Sequence, residues 1–364
     1  MKVIFVINEP IQKASGGYKM VYIYANELAR KNNDVTIIYH CRRDKLLSNY
    51  KFPFPFKFLI AKFLAYRGPN WFDLEKMVHR KVVKEITNKT IPDCDVILAT
   101  AADTAEDVNS LSQSKGRKYY FIQGYENWVL PEKKLIETYQ FPMKKIVVAK
   151  WLKKTVESFT KGQEVECVLN GIDDNIFKIF EPIEQRIPAS ICMLYHDLEQ
   201  KGSKEGLMVI NKLKKIIPDL KVHLFGIVPR PVDLPSWINY TYRANAQEVV
   251  KIYNASSIYL CPSWNEGCSL TGAESMMCGC ALVSTKIKGI QEYADDTNSI
   301  LVDVHDIEAM YSASINLIRC NEERIRIAQK GFQQIKELLN YKRCIQQFIE
   351  LLYDDTNQLN NKVI

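Results

Sequence analysis

No stretch of this 364-residue chain approaches the roughly 18 consecutive apolar residues of a membrane-spanning helix. The opening run Met1-Lys2-Val3-Ile4-Phe5-Val6-Ile7 turns polar at Asn8-Glu9, too soon for a secretory signal. Histidine is scarce, and His40, His79, His223 and His305 have no partners at metal-ligand spacing, so they read as structural or surface residues. The cysteines lie mostly in apolar stretches (Cys94, Cys167, Cys192, Cys261), where a small buried thiol is the ordinary explanation. Cys278-Gly279-Cys280 lacks a second pair, which argues against zinc, and no metal site is expected. The G-x-G-x-x-G dinucleotide fingerprint is missing as well. No helix-turn-helix, zinc-finger or RNA-binding aromatic signature is present, so no nucleic-acid partner is expected. A reducing cytoplasm is the expected location.

What is present is the composition of a globular protein, 47% apolar and 25% charged, in a chain long enough for two domains. Short apolar runs alternate with helical patterns, which predicts parallel sheets with crossover helices. Strands are expected near 2–7, 34–39, 94–99, 118–122, 145–149 and 165–169, with helices near 17–31, 71–87, 104–112 and 150–159. A second series places strands near 190–195, 220–225, 257–261, 281–285 and 299–302, with helices near 203–217, 246–254, 269–278 and 306–318. The expected fold class is α/β, in two doubly wound units, 1–170 and 171–340. Segment 171–189, with Gly171, Pro182 and Pro188, reads as a linker. A last helix, about 341–364, is expected to pack back on the first unit.

The first 170 residues hold the positive charge, and the remainder is mildly acidic. Such a half attracts anionic membrane or phosphorylated ligands. Within it, residues 51–64 interleave aromatics with lysines, which suits either an interfacial membrane segment, a cover for an acceptor site, or core. Pro53 and Pro55 argue against a regular helix at its start.

The chemistry concentrates in Ser263-Trp264-Asn265-Glu266-Gly267-Cys268-Ser269-Leu270-Thr271-Gly272-Ala273-Glu274. An apolar strand ends just before it and a helix begins near Ser269. Backbone N–H groups of Gly267, Cys268 and Ser269, with Leu270 following, then stand at a helix N-terminus, where unpaired donors and the dipole favour an anion such as a pyrophosphate. Glu266 and Glu274 flank it and can accept hydrogen bonds from sugar hydroxyls. Four other stretches keep company with this one. Gly16-Gly17 follow the first strand and let the backbone approach a ligand closely. Val168-Leu169-Asn170-Gly171-Ile172-Asp173 reads as a turn. His196 to Lys201-Gly202 follows another strand with a cation. Gln123, Tyr125 and Glu126, near Trp128, offer hydrogen bonds and an aromatic platform, although Tyr125 and Trp128 also read as core and Glu126 as solvated.

In this order the stretches resemble the retaining nucleotide-sugar glycosyltransferases of family 4, with the Glu-x7-Glu signature spanning Glu266 and Glu274. The resemblance implies the GT-B fold, two Rossmann-like domains facing each other across a cleft, an acceptor side first and a nucleotide-sugar side second. It implies transfer of a sugar, from a UDP-sugar as the first expectation, to a hydroxyl of a glycan or lipid-linked acceptor. Retention of anomeric configuration and a place in surface polysaccharide or glycoconjugate synthesis follow from it, without a cofactor and without a metal. Glu266 would contact the transferred sugar, Glu274 the ribose, and Lys201 with Gly202 the diphosphate, while Gly16 and Gly17 would face the donor. Gln123, Tyr125 and Glu126 are candidate sugar or acceptor contacts. His196 stands where the family has arginine, and no histidine stands near 119–128 where one is usual. Those departures leave open a catalytically silent partner subunit; a nucleotide-sugar epimerase is the other alternative. A site at the inner face of the membrane is compatible with the basic half.

Overall fold

The computed structural model describes residues 1–46 and 51–360, with the side chains of 354–360 excepted. It divides into two compact units, Met1–Leu169 with Ile345–Ile364, and Asn170–Cys344. Residues 361–364 of the expected last helix lie outside the described residues.

The first unit is a seven-stranded parallel sheet: β1 (Lys2–Asn8), β2 (Asp34–His40), β3 (His79–Val83), β4 (Val96–Ala99), β5 (Arg117–Ile122), β6 (Lys144–Val147) and β7 (Val165–Cys167). Its spatial order is β3-β2-β1-β4-β5-β6-β7. The central strands are apolar without alternation because helices cover both faces: Val3 to Ile7 and Val96 to Ala99 are all buried. The last helix, Tyr341–Asn360, lays its residues from Ile345 onward against this unit. Phe348 stacks on Tyr24 at 3.7 Å and meets Phe121 edge-on at 5.5 Å, and Arg117 Nη2 donates to the Leu352 carbonyl at 2.9 Å.

The second unit has six parallel strands, β8 (Ser190–Tyr195), β9 (Lys221–Gly226), β10 (Asn239–Tyr242), β11 (Ile258–Cys261), β12 (Ala281–Thr285) and β13 (Ile300–Val302), in the order β10-β9-β8-β11-β12-β13. Strand order reverses between β8 and β11, which pair in register Ile258 to Ile191. At such a switch point the loops beyond the two strand ends diverge to opposite faces and leave a ligand site at the C-terminal edge.

Several expectations are corrected. The helix expected over 71–87 does not form; 79–83 is the edge strand β3, and its partner is β2 in register Thr36 to His79. A helix stands instead at Phe54–Arg67. Pro53 is its N-cap and Pro55 lies in its first turn, where a missing N–H costs nothing, so the prolines start this helix. The helices Glu132–Tyr139 and Asn321–Leu338 and the strand β10 were not expected at all. The segment read as a linker is bound firmly to the second unit. Arg186, 4% exposed, donates to the carbonyls of Glu181, Tyr253, Ser256 and Cys278 and to Asn254 Oδ1, at 2.6 to 3.3 Å. Asn254 Oδ1 in turn accepts from the N–H groups of Phe180 and Glu181.

Replacing this guanidinium with an apolar group strands several buried carbonyls. Arg186→Leu is therefore expected to cost about 3 kcal/mol of stability, read as a lower denaturant midpoint for the second unit. An unchanged midpoint would mean that water replaces all five acceptors' contacts.

Candidate functional site

The two loops at the switch point of the second unit are locked together by backbone before any side chain is considered. The loop after β8 runs through a turn at Glu199–Lys201 to Gly202, whose φ of 63° is left-handed, and into the helix Ser203–Ile216. A Cβ on Gly202 would sit 2.0 Å from the Pro262 carbonyl oxygen in the loop after β11. Glycine is thus required twice there, for its backbone angle and for the close approach. One residue pair further on, the Trp264 N–H donates to the Gln200 carbonyl at 2.8 Å.

This junction brings Lys201 to Glu266. The ammonium lies 2.7 Å from Oε1 and 2.8 Å from Oε2, with the two side chains 20% and 14% exposed. Ser263 Oγ donates to the same carboxylate at 2.9 Å. Glu266 is held from the other side too, because a Cβ on Gly289 would lie 2.4 Å from its carbonyl oxygen. Gly267, Cys268 and Ser269 lead into the helix Leu270–Met277, with Ser269 as its N-cap and no side-chain cap bond. Tyr293 OH donates to the Ser269 carbonyl at 2.8 Å, and fixes the helix start; Gly272 leaves the room that the phenol needs. Glu274 stands one turn into this helix, 5% exposed.

His196 closes β8 with its backbone N–H donated to Ser203 Oγ at 2.8 Å. Its Nδ1 accepts from the Leu198 N–H at 3.0 Å, so the neutral ring carries its proton on Nε2. Asp197 Oδ1 is 2.9 Å from the same Nδ1, a contact that serves the protonated ring instead.

A second layer was missed by sequence reasoning. Trp264 Nε1 donates to Glu205 Oε2 at 2.8 Å, His305 Nδ1 meets Glu205 Oε1 at 2.6 Å, and the indole and imidazole rings meet edge-on at 4.5 Å. His305, read above as structural or surface, braces the loop that carries Glu266. Only its left-handed φ of 71° marks it, and that is invisible in a sequence.

In the first unit the candidates also gather at the C-terminal edge of the sheet. Gly16 and Gly17 open the helix Gly16–Arg30 after β1, and Gln123 Nε2 donates to the Gly17 carbonyl at 3.2 Å. Tyr125 donates to Glu132 Oε1 at 2.8 Å and packs on the core, while Trp128 is 57% exposed. Glu126 is half-buried, and its Oε2 accepts the Ala102 N–H at 2.6 Å, at the start of the helix Ala102–Asn109. Burial pushes its carboxyl up to about 7; the Ala102 N–H pulls the other way and the charge of Asp103 adds to the rise.

Asp103 is the reverse case and another residue that sequence reasoning passed over. Burial works to raise it, but hydrogen bonds from Lys45 Nζ at 2.9 Å and Asn8 Nδ2 at 3.0 Å, with the charges of Lys45 and Arg42, hold it below the usual carboxylate range. Arg42 also donates to the Asp103 carbonyl and to Asp107 Oδ2. His40 beside it is pushed down by burial and by the Arg42 charge. Among the described residues no group of three His, Cys, Asp or Glu side chains is arranged to hold a metal.

Part of the second unit matches a known protein family. Residues 190–320, which include His196, Lys201 and Glu266 to Glu274, match the family described as glycosyl transferases group 1. D-inositol 3-phosphate glycosyltransferase of Corynebacterium urealyticum is 30% identical over 106 residues, 29% of this chain and 25% of that protein. An uncharacterized glycosyltransferase, MJ1069 of Methanocaldococcus jannaschii, is 28% identical over 209 residues, 54% of this chain and 52% of that one. The chain thus spans a quarter to about half the length of these curated relatives. Among solved structures, a sucrose-phosphate synthase from Thermosynechococcus elongatus superposes with a TM-score of 0.75 at 12% identity, over 98% of this chain and 99% of that one. HepE from Anabaena, solved with UDP and glucose, gives 0.72 at 13%, over 97% and 100%. At these identities the likeness shows the fold: two parallel-sheet Rossmann-like units of the GT-B type.

Glu126 makes the first unit's stability depend on pH with a definite sign. The unfolded chain releases this proton near pH 4.5 and the folded protein near 7. Between those values the folded state holds the extra proton, so its stabilising effect is complete below about pH 4.5 and lost as pH rises through 7. Glu126→Gln keeps an acceptor for the Ala102 N–H and removes the titration. Relative to that variant the wild type should lose about 2 kcal/mol between pH 5 and 8, read from urea midpoints. Parallel pH curves would place the Glu126 carboxyl in solvent.

Proposed function

We propose that this chain is a glycosyltransferase that moves a sugar from a nucleotide-diphosphate sugar, a UDP-sugar first among them, to a hydroxyl of a glycan or lipid-linked acceptor. The anomeric configuration is retained, and the product belongs to surface polysaccharide or glycoconjugate synthesis. One observation carries the reading: the Lys201–Glu266 pair lies at the switch point of the second sheet, next to the start of the helix Leu270–Met277. The group 1 match over 190–320 supports the class, and the UDP-bound HepE structure and an O-antigen chain mannosyltransferase B of Escherichia coli among the relatives support the donor and product type.

The electrostatics of transfer follow from this chain's own residues. A leaving nucleoside diphosphate gathers negative charge while the sugar becomes cationic. Lys201 and the N–H groups of Gly267, Cys268, Ser269 and Leu270 offer fixed positive potential to that charge without reorganising, which is where preorganised sites gain most. Glu266 pairs with Lys201 at 2.7 Å. A bound diphosphate takes over the ammonium, and the released carboxylate turns to the sugar hydroxyls and to the positive charge developing on the ring. Glu274, one turn into the same helix, accepts from the ribose. His196 offers a single Nε2–H toward phosphate in its neutral form, a weaker grip than a guanidinium fork.

In the first unit Gly16, Gly17, Gln123, Tyr125 and Glu126 serve the acceptor and the donor sugar. The second unit is the nucleotide-sugar domain and the first the acceptor domain. None of the ten cysteines is paired, in keeping with a cytoplasmic site of action. Among the described residues no helix is long and apolar enough to cross a membrane.

Lys201→Ala and Glu274→Ala are each expected to lower kcat/KM for transfer about 100-fold or more with melting temperatures close to wild type. Turnover of a panel of nucleotide sugars by the purified chain is the measurement. Undiminished transfer by either variant overturns its role. Binding of the donor by the wild type without turnover would instead make the chain a partner subunit, and net epimerisation without acceptor would make it an epimerase.

A further inference from the structure

The helix Phe54–Arg67 has two apolar faces. On one, Ala61 and Ala65 are 1% and 3% exposed, and Phe54, Phe58 and Leu64 are half-buried. On the other, Phe56, Leu59, Ile60 and Phe63 recur at i, i+3, i+4 and i+7 and are 63%, 65%, 37% and 56% exposed. At 3.6 residues per turn those four fall within an arc of about 100°, opposite the buried alanines. Tyr66, 82% exposed, extends the line by a turn, and Phe52, 55% exposed, precedes it. Contiguous exposure of so many large apolar side chains marks a surface that something covers.

The charges around the stripe say what covers it. Between Asp44 and Asp73 the sequence has no acid, while Lys51, Lys57, Lys62 and Arg67 are cations. Lys57 and Lys62 flank the stripe on its two sides by helical position. The Lys62 ammonium lies 5.1 Å from the Phe58 ring, Arg67 5.7 Å from Phe63, and Lys84, from beyond β3, 5.1 Å from Phe58. Between this helix and β3 a cavity of about 230 Å³ is lined by Lys62, Tyr66, Lys76, His79 and Arg80, with no acid in its wall. Asp34 stands 3.9 Å from His79. An acidic peptide would use these cations and leave the phenylalanines in water. A second copy would use the phenylalanines and press the cations together. An anionic bilayer uses both.

We propose that the helix Phe54–Arg67 docks on an anionic lipid bilayer, with Phe56, Leu59, Ile60 and Phe63 in the acyl boundary and a lipid headgroup phosphate in the cavity lined by Lys62, Lys76 and Arg80. Docking stands apart from the transfer reaction and is tested without it.

The full chain is sedimented with vesicles of phosphatidylcholine alone, or with about one third phosphatidylglycerol. Wild type is expected to partition at least about tenfold more strongly onto the anionic vesicles, with binding that falls as salt is raised. Phe56→Ser combined with Phe63→Ser should lose about tenfold or more on the same vesicles, and because both side chains already face water, its circular dichroism and melting temperature should match wild type. Lys62→Gln with Arg80→Gln should erase the preference for anionic lipid and leave the weak neutral binding. Anionic vesicles should also slow amide exchange over 54–67 in the wild type, a readout independent of any variant. Three results overturn the proposal: no sedimentation of the wild type, equal sedimentation of the Phe56/Phe63 variant, or a lipid-free dimer that the same two substitutions dissolve.

Discussion

The carbonyl of Pro262 comes so close to position 202 that no side chain can stand there, and the second unit's candidate site follows from that approach. With Gly202 in a left-handed turn, the loops after β8 and β11 share backbone contacts at their bases. Lys201 and Glu266, 65 residues apart, are then delivered to hydrogen-bonding distance by main chain rather than by mutual attraction. The order of causes matters. A partly exposed ion pair is worth about 1 kcal/mol or less on its own, too little to set the path of two loops. Backbone packing sets the path, and the pair spends its modest energy on orienting two side chains toward a helix start. The Trp264–Glu205–His305 brace plays the same part on the far side of the loop.

Charge is handled differently in the first unit, where two neighbouring carboxyls show what burial alone does. Asp103 lies in the first turn of the helix Ala102–Asn109 and Glu126 accepts from its first N–H, and both lose water. Asp103 has an ammonium and an amide as donors and stays ionised; Glu126 has one backbone N–H and rises to about 7. One N–H, even at a helix N-terminus, does not offset desolvation of a carboxylate, whereas a cation with a second donor does. The result is a carboxyl near neutrality next to one that is firmly anionic, at the edge of the sheet that also carries Gly16 and Gly17.

Much of this was legible in the sequence, for reasons that are local. Central parallel strands such as Val3 to Ile7 must be apolar on both faces, so they read directly as short runs between helical patterns. The residues from Ile258 to Glu274 read as strand, turn and helix because an apolar run, glycine and serine follow in quick succession. What was not legible depends on distant contacts. Edge strand β3, His79-Arg80-Lys81-Val82-Val83, carries charge because one face of it is solvated, and its composition then resembles a helix surface. Arg186 gives no sign that its guanidinium is buried among carbonyls from three separate stretches of chain. Asp103 lies far in the sequence from Arg42 and Lys45 and meets them only because β2 and β4 flank β1.

The helix Phe54–Arg67 defeated periodicity for a further reason. A helix is recognised by contrast between its faces, and here the faces do not contrast: alanines and aromatics fill the inner one, aromatics and aliphatics the outer one. Prolines in the first turn added a misleading breaker. Lack of contrast is itself informative once exposure is known, since an apolar outer face persists only where water is not its working solvent. The lipid-linked acceptor of the proposed reaction would put such a solvent at hand. Docking by one helix confines the acceptor search to a surface layer, raising its effective concentration without a single contact to the sugar itself. As proposed, docking on the membrane and binding of the donor rest on separate residues: the first on 52–84 of the first unit, the second on Lys201 and Glu266 of the other.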